Sequence, residues 1–222
     1  MSLPLMIFAA GKGTRMAPLT DVTPKPLIPV AGRTLLDRAL DLAEDAGVAR
    51  MVLNIHHLGQ QIRDHIGDRA AVSDETDLLL ETGGGLRKAL PLLGPGPVIT
   101  MNPDVIWTGQ NPIRTLLNAW DDDMDALLML VPLAQTHGRQ GSGDFSLGPG
   151  NRLIRKGDLV YGGIQIIRPD RLAEIPEQIF SLNRLWDLLI ATGRAYGVTH
   201  PGAWCDVGRP DCIPLAEGLL RG

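Results

Sequence analysis

Short apolar runs alternate with segments of helical periodicity along residues 1–134, and this alternation is the strongest constraint on the fold. A continuous apolar run of about four to eight residues is typical of a strand covered on both faces. The pattern predicts strands at residues 5–10, 51–55, 78–80, 98–101 and 126–133, and helices at residues 34–48, 58–66, 86–90 and 112–120. Strands that alternate with helices favour an α/β fold with a mainly parallel sheet.

Beyond residue 135 the regular alternation gives way to shorter elements joined by glycine-rich turns. We predict a hairpin over residues 145–154, strands at 159–167 and 195–199, and helices at 181–193 and 211–220. Thr34 and Ser181 are the predicted N-caps of two helices, because their side chains can accept a hydrogen bond from the first turn. A chain of 222 residues without a long linker suits one large domain, so we expect a single domain over residues 1–222.

Charge and cysteine content argue against several classes of protein. The formal net charge is −4, which does not suit a general basic surface for nucleic acid. The longest uncharged apolar run, residues 126–134, is too short to span a bilayer. Cys205 and Cys212 make neither a disulfide framework nor a zinc site, which favours a reducing compartment. We therefore expect a cytoplasmic protein that binds neither nucleic acid nor membranes.

Residues 9–29 combine glycines with positive charge directly after the first predicted strand. Ligands of α/β proteins gather at the carboxyl ends of the strands, where glycine-rich turns let backbone N–H groups approach phosphates. Residues 1–33 carry four basic side chains and one acidic side chain, Asp21. Gly13 follows Lys12 where a P-loop needs Ser or Thr, and Met16 replaces the third glycine of a dinucleotide fingerprint. The segment therefore predicts an anion site of another type.

The same segment reads G-x-G-T-R-M and then P-K-P, and it resembles the signature of the sugar-1-phosphate nucleotidyltransferases. The resemblance implies a Rossmann-like three-layer α/β fold with a mixed central sheet that is mainly parallel. It also implies an in-line reaction in which a sugar 1-phosphate attacks the α-phosphorus of a nucleoside triphosphate and pyrophosphate leaves. The implied triphosphate-binding residues are Ala10, Gly11, Lys12, Gly13 and Thr14, and the implied catalytic residues are Arg15 and Lys25.

The resemblance extends to two aspartates that would hold Mg²⁺. Asp104 follows the strand predicted at residues 98–101, and Asp206 lies in W-C-D-V-G-R-P, which is similar to the family's W-x-D-x-G-T-P. Mg²⁺ prefers one or two carboxylates together with phosphate oxygens and water. Pro103 departs from the small residue that is usual in the family before the first aspartate. The acidic run at residues 121–125 lies between a predicted helix and a predicted strand, and we expect it to be a solvated turn.

Glycines mark the places where base and sugar are expected to bind. Gly83 and Gly84 follow a predicted strand, and the matching loop of the family holds the nucleobase through its backbone. Gly163 and Asn183 match segments near the sugar site of similar proteins. Trp204 could stack on the sugar or pack internally. The resemblance thus assigns residues 1–134 to the nucleotide and residues 135–222 to the sugar.

The combination of motifs most resembles the family members that use UTP and N-acetylmuramic acid 1-phosphate in cell-wall recycling. An alternative within the family is the transfer of a guanylyl group from GTP to mannose 1-phosphate. A second alternative is a catalytically silent subunit that only binds a nucleotide sugar, although the full set of Arg15, Lys25, Asp104 and Asp206 argues against it. A dinucleotide-binding oxidoreductase is weakened by the absent third glycine. The sequence leaves the oligomeric state open.

Overall fold

The structure is a computed structural model that describes residues 3–221, and its elements follow the alternation seen in the sequence. The strands are β1 (Leu5–Phe8), β2 (Pro29–Val30), β3 (Arg33–Thr34), β4 (Met51–Ile55), β5 (Ala71–Asp74), β6 (Val98–Met101), β7 (Val105–Trp107), β8 (Ala126–Pro132), β9 (Thr136–His137), β10 (Phe145–Leu147), β11 (Leu153–Arg155), β12 (Leu159–Ile167), β13 (Ala195–Thr199) and β14 (Trp204–Asp206). The α-helices are α1 (Leu35–Asp45), α2 (Gly59–Ile66), α3 (Glu81–Leu93), α4 (Pro112–Ala119), α5 (Asn183–Ala191) and α6 (Cys212–Arg221).

A nine-stranded mixed sheet forms the centre of the molecule. Strand β1 runs parallel to both β4 and β6, and β5 extends this parallel half beyond β4. Strand β12 runs antiparallel to β6 and β8, while β13 is parallel to β8. Strands β10 and β11 form the predicted hairpin and continue the sheet past β12. The prediction of an α/β fold with a mixed, mainly parallel central sheet is confirmed.

Helices cover both faces of the sheet, which gives three layers. Side chains alternate along a strand, so Leu5 and Ile7 of β1 enter one hydrophobic cluster and Met6 enters the other. The first cluster contains buried residues of α1, α2 and α4, and the second contains those of α3 and α5. Burial of each such large aliphatic side chain contributes about 1.5–3 kcal/mol, which holds the sheet rigid under the loops at its edge.

Helix α1 begins as the sequence predicts. Its N-cap is Thr34, whose side-chain oxygen accepts a 3.0 Å hydrogen bond from the backbone N–H of Asp37. Helix α5 differs from prediction, because it begins at Asn183 after an N-cap at Leu182. Ser181 instead accepts a 3.3 Å hydrogen bond from the Asn183 N–H.

The prediction of a strand at residues 78–80 is wrong, because these residues form no strand. The prediction of a glycine loop after them is also wrong, because the glycines belong to helix α3. The strand that pairs with β4 is β5, and helix α3 begins at Glu81 and contains Gly83, Gly84 and Gly85. A Cβ atom on Gly83 would lie 2.4 Å from the Phe180 ring. Glycine therefore lets the first turn of α3 pack against the segment before α5, and this packing overrides the low helix propensity of three glycines.

A second, three-stranded sheet lies beside the carboxyl end of β6. Strand β14 pairs antiparallel with β7 and parallel with β9. Neither β7 nor β14 is predicted from the sequence, yet their pairing joins two distant parts of the chain. Within the described residues, no helix is both long and apolar enough to cross a membrane.

Candidate active site

Three cavities meet at the carboxyl edge of the sheet, and Asp104 lines all of them. The loop cavity, of about 250 Å³, is lined by Gly11, Gly13, Thr14, Arg15, Lys25 and Asp104 among others. The α3 cavity, of about 390 Å³, is lined by Ala10, Asn54, Leu79, Glu81, Thr82 and Ser181 among others. The β12 cavity, of about 350 Å³, is lined by Asn102, Arg139, Tyr161, Gly163, Asn183 and Asp206 among others. Together they form one cleft with three branches.

The loop after β1 is shaped by Gly13, which adopts a left-handed conformation with φ of 63°. A Cβ atom there would lie 2.9 Å from the methyl group of Thr20 and 3.0 Å from the Cβ of Lys25. The Thr20 hydroxyl donates a 3.0 Å hydrogen bond to the Gly13 carbonyl, and this fixes the turn. The glycine thus allows the loop to lie directly against Lys25.

Lys25 and Asp104 form an ion pair at the centre of the cleft. The lysine side chain is 11% exposed and the aspartate side chain 25% exposed, so both charges are only partly hydrated. Lys25 opens a short 3₁₀ turn between Pro24 and Pro26, and proline restricts the backbone on both sides of it. The lysine is therefore presented to the cleft from a stiff segment.

Asp104 and Asp206 are brought together by the pairing of β7 with β14. Asp206 lies opposite Val105 in this pairing, and the Val207 N–H donates a 2.9 Å hydrogen bond to the Asp104 carbonyl. Burial raises the pKa of Asp206 above its usual range, and the neighbouring Asp104 raises it further. Positive charge on Lys25, Arg15 and Arg139 acts in the opposite direction.

Asp104, which lines all three cavities, and Asp206, which lines the β12 cavity, match the donor set that Mg²⁺ prefers, which leaves other positions to phosphate oxygens and water. Among residues 3–221, no group of three or more histidine, cysteine, aspartate or glutamate side chains is arranged to hold a metal ion. The acidic run at residues 121–125 forms the turn that the sequence predicts. Asp104 and Asp206 are thus the pair that could hold a metal when phosphates complete the coordination.

The backbone N–H groups of Gly83 and Gly84, which we expect to contact the base, have a partner within the protein. Both N–H groups donate to the Phe180 carbonyl, at 2.9 and 3.1 Å, and both residues are buried in α3. Glu81 and Thr82, just before them, line the α3 cavity instead. Their proximity to the cleft follows from the tertiary packing of the helix and has no local sequence signal.

A buried carboxylate supports the α3 cavity from behind. Glu75 is fully buried, and its two carboxylate oxygens accept hydrogen bonds from the Asn54 amide at 2.7 Å and the Leu80 N–H at 3.0 Å. Asn54 in turn accepts a 2.8 Å hydrogen bond from the Ala9 N–H. This chain of bonds ties the loop after β1 to the start of α3, and sequence reasoning missed it.

The two residues expected at the sugar both line the β12 cavity. Gly163 has φ of 90°, and its carbonyl accepts a 2.8 Å hydrogen bond from the Asn102 N–H. Asn183 accepts a 3.0 Å hydrogen bond from Arg155. Trp204 is 3% exposed and donates to the Gly162 carbonyl at 2.9 Å, so it packs internally even though it lines the β12 cavity.

Most residues expected in the site line this cleft, and three do not. Those that line it are Ala10, Gly11, Gly13, Thr14, Arg15, Lys25, Asp104, Gly163, Asn183 and Asp206. Lys12 is exposed and lines none of the three cavities, and Gly83 and Gly84 are buried behind them. Sequence reasoning did not single out Asn102, Arg139 or Asp144, which also line the β12 cavity.

Comparisons with known proteins agree with this geometry. Residues 5–204 match the model of the MobA-like NTP transferase domain. The chain is 40% identical to the N-acetylmuramate α-1-phosphate uridylyltransferase of Caulobacter vibrioides, over 97% of this chain and 96% of that protein. It is 37% identical to the enzyme of the same name from Neisseria meningitidis serogroup B, over 96% of each chain.

A solved structure supports the fold independently. A UDP-glucose pyrophosphorylase from Acinetobacter baumanii superposes with a TM-score of 0.80 at 16% identity, over 98% of this chain and 92% of that one. The resemblance to the sugar-1-phosphate nucleotidyltransferases is confirmed, and the chain belongs to the MobA-like NTP transferase family.

Proposed function

We propose that this protein transfers the uridylyl group of UTP to N-acetylmuramic acid 1-phosphate, which gives UDP-N-acetylmuramic acid and pyrophosphate. The observation that carries the proposal is the convergence of Arg15, Lys25, Asp104 and Asp206 on one cleft in a chain closely similar to two enzymes of that name. The guanylyltransferase alternative is not favoured, because both near full-length relatives are named for uridylyl transfer.

The phosphates of UTP bind in the loop cavity. Gly11 and Gly13 of the turn line this cavity, and Arg15 adds a full positive charge. A sugar phosphate oxygen attacks the α-phosphorus, and the bond to the leaving pyrophosphate breaks on the opposite side. Such a transfer depends mainly on positioning and on neutralising the charge that develops on the phosphate oxygens. Lys25, held stiffly in the centre of the cleft, supplies that neutralisation.

Asp104 and Asp206 would hold Mg²⁺ together with phosphate oxygens of the substrates. The ion supplies Lewis-acid stabilisation of charge on the phosphate oxygens when it is bound. The protein's own part is to hold the two carboxylates in place through the β7–β14 pairing. Because Lys25 pairs with Asp104 in the absence of substrate, this lysine must exchange a carboxylate partner for phosphate oxygens when UTP binds.

The two other branches accept the base and the sugar. The α3 cavity, with Glu81 and Thr82 at its wall, takes the uracil, and the β12 cavity, with Gly163 and Asn183, takes the sugar. On this proposal residues 1–134 bind mainly nucleotide and residues 135–222 mainly sugar, within a single domain. Both cysteines are free and buried, as expected of a cytoplasmic enzyme.

The deciding experiment is a matrix of nucleoside triphosphates against sugar 1-phosphates, with pyrophosphate release measured with and without Mg²⁺. The proposal expects the highest kcat/KM for UTP with N-acetylmuramic acid 1-phosphate, and only when Mg²⁺ is present. A preference for GTP with mannose 1-phosphate would replace the proposed substrates. Tight binding of nucleotide sugar without turnover of any pair would identify a silent binding protein.

A further inference from the structure

Arg139 is a basic residue of the β12 cavity whose hydrogen bonding within the described residues is incomplete. Its Nη2 atom donates to the Ser142 carbonyl at 3.0 Å and to an Asp144 carboxylate oxygen at 2.8 Å. Its Nε atom is buried and has no hydrogen-bond partner among the described residues. An unsatisfied buried donor costs about 1–3 kcal/mol, so the protein alone leaves this guanidinium incompletely satisfied.

Asp144 fixes the position of Arg139. One Asp144 oxygen accepts from Arg139, and the other accepts a 2.9 Å hydrogen bond from the Tyr161 N–H. The Asp144 N–H donates to the Leu159 carbonyl at 2.7 Å, which anchors the aspartate to β12. The Arg139 side chain is 25% exposed, so the guanidinium is held at one end while part of it remains accessible from the cavity.

The other two arginines of the cavity have different tasks. Arg155 donates through Nε and Nη2 to Asp187 at 2.9 and 2.7 Å, and through Nη1 to Asn183 at 3.0 Å, so all three of its nitrogen atoms have partners. Arg15 also lines the loop cavity, where the proposed function gives it the triphosphate. Arg139 lines only the β12 cavity among the three and is therefore left for the sugar.

The proposed sugar has a second anionic group besides its phosphate. N-acetylmuramic acid is N-acetylglucosamine with a lactyl ether that ends in a carboxylate. A carboxylate that enters a partly buried cavity loses hydration and needs a charged partner. Arginine is the residue best suited to bind it, because its planar fork can donate two parallel hydrogen bonds.

We propose that Arg139 is a specificity-determining residue that binds the lactyl carboxylate of the sugar substrate. This inference rests on the proposed function and adds a reason for the choice of sugar. The other anion that could reach Arg139 is the sugar phosphate, since Arg139 is close enough to Asp206 to affect it electrostatically. The two sources can be separated, because N-acetylglucosamine 1-phosphate has the same phosphate without the carboxylate.

The test compares the two sugar 1-phosphates in the wild type, in Arg139→Gln and in Arg139→Lys, with UTP saturating. The control is Arg114→Gln, an arginine that is 58% exposed, pairs with Asp45 and lines none of the three cavities. We expect Arg139→Gln to lower kcat/KM for N-acetylmuramic acid 1-phosphate by roughly 10- to 100-fold, the range of one charge-assisted hydrogen bond. Its kcat/KM for N-acetylglucosamine 1-phosphate and its KM for UTP should change less than about threefold.

Each outcome decides between explanations. An equal loss for both sugars would overturn the inference, because it would assign Arg139 to the phosphate or to structure alone. Arg139→Lys keeps the positive charge but lacks the planar guanidinium, so it should retain part of the preference for N-acetylmuramic acid 1-phosphate. If Arg139→Gln does not fold, the sugar preference of Arg139→Lys tests the inference in its place. If the wild type converts neither sugar, the proposed function fails first, whereas conversion without any preference for the carboxylate overturns only this inference.

Discussion

Lys25 and Asp104 lie 79 positions apart in the chain and form an ion pair where the three cavities meet. The pair neutralises two groups that the reaction would use separately, one on phosphate oxygens and the other on Mg²⁺. In the absence of substrate, each therefore compensates the desolvation of the other. On the proposed mechanism, a nucleotide that binds together with Mg²⁺ would replace this internal ion pair by two interactions with ligand.

The first prediction concerns Lys25. Lys25→Ala should lower kcat by roughly 100- to 1000-fold, because it removes a positioned charge beside the reacting phosphates. The fold should remain, since Asp104 is 25% exposed and can be hydrated. Steady-state kinetics and a thermal melt measure both effects. Lys88→Ala, which removes an exposed lysine outside the cleft that donates to the Asp74 carbonyl, is the matched control. Near-normal turnover by Lys25→Ala would remove the lysine from the mechanism.

The second prediction concerns Asp104. Asp104→Asn keeps the size of the side chain but removes its negative charge, so Mg²⁺-dependent turnover should fall by at least about 100-fold. Titrating Mg²⁺ at saturating UTP distinguishes a lost ligand from a general defect, because a lost ligand also raises the Mg²⁺ concentration needed for half-maximal activity. Unchanged activity with the same Mg²⁺ dependence would exclude Asp104 as a ligand.

The third prediction separates backbone strain from close approach at Gly13. Gly13→Ala and Gly32→Ala both place a side chain at positive φ, 63° and 74°, which costs about 1–2 kcal/mol. Only Gly13 has neighbours, since a Cβ there meets Thr20 and Lys25 while nothing lies within 4 Å of one at Gly32. We expect similar strain in both variants but a loss of kcat only in Gly13→Ala. Equal kinetics in the two variants would show that the contact with Lys25 has no role in turnover.

Buried apolar strands were the easiest part of the fold to predict. The bounds of β4, β6 and β12 agree with the sequence pattern residue for residue, because each is a continuous run buried on both faces. The start of α3 could not be predicted, since its glycines are required by close neighbours from other segments, such as Phe180, about a hundred positions away from Gly83. Local propensity gave way there to tertiary packing.

The candidate site likewise contains residues that a local motif predicts and residues that only the tertiary fold brings to the site. The glycine loop, Lys25 and the two aspartates carry a local motif, and the structure brings them together. Arg139 and Glu75 carry no such motif, because their importance depends on what other segments leave unpaired or buried beside them. The β7–β14 pairing is the clearest example, since two strands of three residues each give almost no periodic signal.

The fourth prediction concerns the polar chain behind the sugar cavity. Gln165 is fully buried, donates to the Thr100 hydroxyl at 3.0 Å and accepts from the Trp186 indole at 2.7 Å. Gln165→Leu leaves the Trp186 indole N–H unsatisfied and removes a hydrogen bond from the Thr100 hydroxyl, which should cost about 1–3 kcal/mol of unfolding free energy. Because Trp186 lines the β12 cavity, the KM for sugar 1-phosphate should rise while the KM for UTP stays unchanged. Gln110→Leu, at an exposed position, is the control, and a shift of both KM values would refute a role confined to the sugar.

The last prediction concerns stability against pH and rests on His200. This residue is fully buried, and its ring packs edge-on against the Trp107 ring with 4.8 Å between the ring centroids. Its Nε2 atom lies 2.9 Å from the Thr108 carbonyl oxygen. A carbonyl can only accept, so Nε2 carries the proton in the neutral ring and Nδ1 is left without a partner. Burial lowers the pKa of His200 below its usual value, because the charged ring cannot be hydrated.

The sign of the effect follows from proton binding. Below the unfolded-state pKa of about 6.5, the unfolded chain binds a proton at this histidine before the folded chain does, so folding stability falls as the pH falls. His200→Gln cannot titrate, and its free energy of unfolding should therefore depend less on pH, by up to about 1.4 kcal/mol per pH unit below pH 6. Urea unfolding of both proteins between pH 5 and pH 8 measures the difference. If the free energies of unfolding of the two proteins differ by a constant amount across this range, His200 does not control acid stability. If the difference narrows only at low pH, the fold requires the neutral form of His200.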